Sequence, residues 1–194
     1  MRVPSMLLFV ALASCGGAGT AASFPDRPAL VTAQGEWCAM LAKLEAKGGT
    51  WEPLADCKKA LPTSSAAYLE AMTACYDTRV EAAGDGALDR GALLAECNDE
   101  ASLKLDASGA MQSDVIAARC ERMEKCEKVA AVDCKAGIEG LETAQKAMLT
   151  STYNPPALAE VADCLRSKGC GDDEEKVRDA CYEKVSQKLV WFPN

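Results

Sequence analysis

The sequence predicts an all-α protein, a disulfide-linked helical bundle, on three observations. From Gln34 onward, apolar residues recur with the 3.6-residue period of amphipathic helices, and no stretch alternates convincingly as a strand does. Eleven cysteines are distributed along the chain, spaced as staples between helices rather than as close metal-binding pairs. Only 5 % of residues are aromatic and many apolar positions are alanine, so the core is lean. Bridges supplement such a core: closing loops of ~15 to 60 residues, each contributes roughly 3 to 4 kcal/mol in the chain-entropy model.

Trp37, Leu41 and Leu44 mark a first helix, ended by Gly48-Gly49. Thr50 and Pro53 open a second, carrying Leu54, Cys57 and Leu61 and stopped by Pro62. Ser64 or Ser65 caps a third, in which Leu69, Met72, Tyr76 and Val80 share a face before the break at Gly84-Asp85-Gly86. Leu94, Cys97, Ala101 and Leu105 define a fourth.

After Ser108-Gly109 the theme repeats. Ile116, Cys120 and Met123 share one helical face, and Cys134, Ile138, Leu141 and Met148 another; a turn near Ala130 is an open question. Asn154-Pro155-Pro156 starts the next helix with an Asn cap and proline in the first turn, turning Leu158, Val161 and Leu165 inward until Lys168-Gly169. Asp172 and Glu175 have the spacing of a capping box for the last helix, whose buried stripe is Val177, Cys181, Val185 and Leu189.

Residues 34–105 and 113–190 thus read as two units of about four helical segments. Cys38, Cys57, Cys75 and Cys97 correspond to Cys120, Cys134, Cys164 and Cys181, one to a helix. The second unit has two further cysteines, Cys126 and Cys170, where the first has Leu44 and Glu81; their joint absence there points to a Cys126–Cys170 pair. Residues equidistant from the turn of a helical hairpin lie level, within the ~4.4 to 6.8 Å a disulfide spans between Cα atoms. Cys38 and Cys57 are level about Gly48, Cys75 and Cys97 about Gly86, and Cys164 and Cys181 about Asp172, with Cys120 and Cys134 paired by analogy. Cys57 and Cys75 are also level about Ala66, so a nested pairing with Cys38 to Cys97 stands beside the sequential one.

The N-terminus carries an address. Arg2 precedes the apolar run Met6-Leu7-Leu8-Phe9-Val10, followed by the small residues Ala11, Ala13 and Ser14. A run of this length is too short to cross ~30 Å of hydrocarbon as a lasting helix. Leu12-Ala13-Ser14-Cys15 resembles the lipobox of bacterial lipoproteins, in which the cysteine receives a diacylglycerol thioether and becomes the first mature residue. The resemblance implies a signal peptide over residues 1–14, lipidation of Cys15, a lipidated flexible tether over 15–33, and a disulfide-rich domain over 34–194. An ordinary signal peptide cut near Ala13 or Ala18, or a retained membrane anchor, are the alternatives. Assigning Cys15 to lipid leaves ten cysteines, an even number fit for five bridges in an oxidising compartment.

Gly16 to Ala33 is rich in Gly, Ala, Ser and Thr with Pro25 and Pro28. At ~5 to 6 Å × √n such a tether holds the body on the order of 20 to 25 Å from the membrane. Gly16-Gly17 lack the aspartate that commonly retains such lipoproteins at the inner membrane, so the outer membrane is favoured, with the body in the periplasm or at the surface. The chain is similar as a whole to small cysteine-rich, all-helical envelope lipoproteins, a resemblance that carries over no functional residue beyond Cys15.

Composition removes several function classes. The net charge of −8 becomes −9 on loss of Arg2, and no basic cluster occurs, so nucleic acid is not an expected partner. With no histidine, Ser-His-Asp, Cys-His and Glu-x-x-His di-iron sites cannot be built within one chain. There is no Cys-x-x-Cys redox motif and no zinc-type pair. Asp172-Asp173-Glu174-Glu175 fits a helix start, and neither Asp85-Gly86 nor the Asp106 to Asp114 stretch has an EF-hand's spacing. Trp37 and Trp51 read as packing residues, and Trp191-Phe192-Pro193 as an apolar cap. No catalytic, cofactor or metal residue is expected. The expected role is a lipid-anchored, non-catalytic envelope protein that binds a protein or small molecule in a groove between the units. A structural or protective component, which needs no groove, and a carboxylate-based hydrolase are the alternatives.

Overall fold

The computed structural model describes residues 24–46, 56–84 and 88–190. Within them lie eight α-helices: α1 Arg27–Ala46, α2 Ala66–Ala83, α3 Arg90–Lys104, α4 Asp114–Glu127, α5 Ala131–Glu139, α6 Thr143–Leu149, α7 Pro155–Ser167 and α8 Glu174–Ser186. The described residues contain no strand, only an isolated antiparallel bridge between Ser64 and Tyr153. No described helix is long and apolar enough to cross a membrane. The lipobox with Cys15, the breaks expected at Gly48-Gly49 and Asp85-Gly86, the start of the second expected helix, and the Trp51 and Trp191-Phe192-Pro193 assignments lie outside the described residues.

Helix α1 corrects the expected tether, which does not extend to Ala33. The helix begins at Arg27, with Leu30 N–H donating to Asp26 O at 3.0 Å, and Leu30 and Ala33 are fully buried. Pro28, read as a linker residue, sits in the first turn of a helix, where its missing N–H costs no intrahelical bond. Trp37 is fully buried and meets Tyr76 of α2 edge to face at 5.0 Å.

The second expected helix is also corrected at its end: residues 57–59 form a turn, so Cys57 and Leu61 are not helical. Its anchor is Gln34, buried in α1, whose amide donates to Cys57 O at 2.6 Å and Ala60 O at 2.7 Å. In α2, Ser65 rather than Ser64 is the N-cap, and Leu69, Met72, Tyr76 and Val80 form the buried stripe. The helix ends at Gly84, whose φ of +53° lies in the left-handed region that favours glycine. In α3 the buried stripe runs through Leu93, Cys97 and Ala101, and Leu94 is turned outward.

Lys128, with φ of 62°, ends α4 and answers the question of a turn near Ala130. A second break follows at 140–142, where Glu142 and Gln145 form a capping box, so the segment from Cys134 to Met148 is two helices and Met148 is exposed. Asn154 caps α7 as expected. In α8 the cap is Asp173, not Asp172, accepting from the N–H groups of Glu175 and Lys176. Leu189 lies beyond that helix and packs against the core of the first unit, together with Val190.

Two hydrophobic cores result. One is built from α1, α2 and α3 around Trp37, Leu41, Tyr68, Leu69 and Met72; the other from α4, α5, α7 and α8 around Ile116, Val161, Leu165 and Val185. Packing order recurs between them: α1 lies on α2 and α2 on α3, as α4 lies on α7 and α7 on α8. Helix α6 lies outside this correspondence and bridges the units, placing Ala147 in the first core and Leu149 against the second.

Candidate functional site

The ten body cysteines come together in five pairs: Cys38–Cys57, Cys75–Cys97, Cys120–Cys134, Cys126–Cys170 and Cys164–Cys181, with Cα separations between 4.9 and 5.9 Å. This is the sequential arrangement, not the nested one. Each of the four corresponding bridges joins elements within one core, whereas Cys126–Cys170 ties α4 to the loop between α7 and α8.

That loop is held from beneath by Arg122, a residue the sequence reading missed. Its side chain is 3 % exposed and donates through Nε to Glu174 Oε2 at 2.9 Å, through Nη1 to Lys168 O and Gly169 O, and through Nη2 to Asp172 O. Arg119 approaches the other oxygen of Glu174 at 3.6 Å. A charged residue on the buried stripe of α4, seven after Val115, was the available signal. Glu174 therefore does more than meet the helix dipole: it neutralises a buried guanidinium.

The units are latched through Pro62–Ser65. Thr63 N–H donates to Lys188 O, Ser64 N–H to Leu189 O, Ser65 N–H to Thr152 O, and Asn154 N–H returns to Thr63 O. The buried Asn154 side chain takes part twice: Oδ1 caps α7 by accepting from Ala157 N–H, and Nδ2 donates to Pro62 O at 2.9 Å. Ser65 Oγ donates to Ser151 O and accepts from Tyr68 N–H.

Beside this latch a cleft of about 600 Å³ opens between the units. One wall carries Phe24 and Asp26 from the turn before α1, Ala29 of α1, and Ala67 and Glu70 of α2; the other carries Ser113, Ser151, Tyr153, Pro155 and Leu158. Ala110, on a 3-10 turn at Ala110–Gln112, also lines it. The lining is largely apolar with hydroxyls interspersed. Among the described lining residues the charged ones are Asp26 and Glu70, and none is lysine or arginine. Burial holds the Tyr153 hydroxyl above its ordinary pKa, so it stays protonated and neutral at physiological pH. The carboxylates held below their ordinary range stand elsewhere: Asp114 by Arg166, Glu100 by Lys104 and Asp106 by bonds from Ser108. No group of three or more His, Cys, Asp or Glu residues among the described residues could hold a metal ion.

No protein-family model matches the chain, and no curated protein or solved structure matches it significantly.

Proposed function

We propose that this chain is an exported, lipid-anchored, non-catalytic binding module of the bacterial cell envelope, held at Cys15, which takes its ligand or partner in the cleft between the two units. The cleft supports this reading most: about 600 Å³ is the scale of small-molecule sites. Its walls belong to separate cores, each internally cross-linked, so their shape is set before anything binds. Aromatic and aliphatic faces with two carboxylates and, among the described residues, no cation suit a neutral or cationic amphipathic organic group and disfavour an anionic one. The pairing of all ten body cysteines is what an oxidising compartment permits, and it leaves Cys15 for lipid.

Native mass spectrometry of the protein extracted from its own membrane in mild detergent tests the reading. Ala67, exposed on the α2 wall, is replaced by Trp to fill the cleft. A non-covalent adduct on the parent that is lost from Ala67→Trp is the expected result. An adduct that persists in the variant places binding elsewhere; no adduct on either protein, with normal envelope integrity lost on deletion, favours the structural role.

A further inference from the structure

We propose that the apolar turn opening α1 is the face that rests on the lipid surface. Phe24, Pro25, Pro28 and Val31, with Arg27 among them, line an open depression of about 740 Å³. Val31 is 48 % exposed while the adjacent Leu30 is fully buried, so α1 presents apolar surface outward here as well as inward. Arg27 Nε is buried with no hydrogen-bond partner among the described residues. That nitrogen is enclosed by the protein, so the surface offered to lipid here is the exposed apolar one around it.

Chain length selects the occupant. This inference rests on the proposed anchor at Cys15, which lies nine residues before Phe24. Nine residues span at most about 30 Å when fully extended. Of the described residues, the turn before α1 is therefore the part tied most closely to the bilayer. The other large exposed apolar residues among those described, Leu94 and Leu103 on α3, Val132 on α5 and Met148 on α6, lie much further along the chain from the anchor. Asp26 precedes Arg27 and offsets its charge, so the contact is chiefly apolar and operates on neutral lipid. The cleft shares Phe24 with this face, so a ligand entering it does so beside the membrane.

The test places the full-length mature protein in phosphatidylethanolamine–phosphatidylcholine vesicles carrying a carbene-generating acyl chain, after intact mass has shown whether Cys15 is acylated. Label is expected on the peptide spanning residues 24–31, falling roughly tenfold in Val31→Glu, less in Val31→Ser, and unchanged in Leu103→Glu. Far-UV circular dichroism confirms that each variant is folded. Label no greater at residues 24–31 than at Leu103 and Val132, or unaffected by Val31→Glu, overturns the assignment. An unacylated mass overturns the anchor separately. Where the chain proves unacylated, its flotation with these vesicles decides the face: a lower bound fraction for Val31→Glu supports it, and equal or absent binding of both proteins overturns it.

Discussion

Replacing Arg122 with alanine removes a guanidinium that is 3 % exposed and leaves Glu174, 12 % exposed, facing a vacated site. The carbonyls of Lys168, Gly169 and Asp172 lose their donor at the same time. Breaking one partner out of a buried pair costs about 3 to 5 kcal/mol. Arg119, 3.6 Å from the other Glu174 oxygen, still compensates part of the charge, so the lower end applies, about 3 kcal/mol. In a chain of this size that lowers Tm by roughly 6 to 12 °C. Urea unfolding of oxidised protein, followed by far-UV circular dichroism, reads it directly. Glu174→Gln alone and combined with Arg122→Ala completes a double-mutant cycle, in which a coupling above about 1 kcal/mol is expected. A loss below about 1 kcal/mol for Arg122→Ala would refute the reasoning, because Arg122 would then be held no more firmly than a surface ion pair.

Three further outcomes follow from the same geometry. Cys126→Ser with Cys170→Ser opens a loop of 44 residues and is expected to cost about 4 kcal/mol in the chain-entropy model, measured by urea unfolding with the other bridges verified by peptide mass. Asn154→Ala removes both the α7 cap and the bond to Pro62 O; about 2 kcal/mol is expected by thermal unfolding, against about 1 if only the cap counts. Asp114 is lowered by its bond to Arg166, so its contribution is present above the ordinary carboxylate range and is lost as pH falls through the depressed folded value. Because its side chain is 65 % exposed, Asp114→Asn is expected to cost less than about 1 kcal/mol near neutrality. Parent and variant should converge in an acid titration of stability once pH falls below that depressed folded value.

Much of the fold was legible because it rests on local rules. Period, caps and breakers placed α2, α4, α7 and α8, and hairpin symmetry brought Cys164 to Cys181 but left Cys75 level with both Cys97 and Cys57, a choice that the packing of α2 on α3 makes. The joint absence of two cysteines from the first unit identified Cys126 and Cys170 as partners. The errors have physical causes. Proline in a first turn looks like a linker, which hid the start of α1. A segment fixed by tertiary bonds from Gln34 carries no local mark of being a turn, so Cys57 was read as helical. Leu93 and Leu94 are adjacent and apolar, and the inward one is chosen by packing against α2. Of the candidate site, a groove between the units was expected, but its lining was not: Phe24, Ala67, Glu70, Ser113 and Tyr153 converge from separated segments. Arg122 and the second role of Asn154 depend on partners 46 or more residues away, visible only once the chain is folded.

The ten body cysteines are paired, and the proposed function adds that the chain is exported and anchored at Cys15. Intact mass of the protein from its native membrane, with non-reduced peptide mapping, tests this most directly. The expected result is a mature chain beginning at an acylated Cys15, with ten further cysteines alkylated only after reduction and recovered as the five pairs named above. A chain retaining Met1 whose cysteines alkylate without reduction would contradict it, as would peptides joining Cys38 to Cys97 and Cys57 to Cys75.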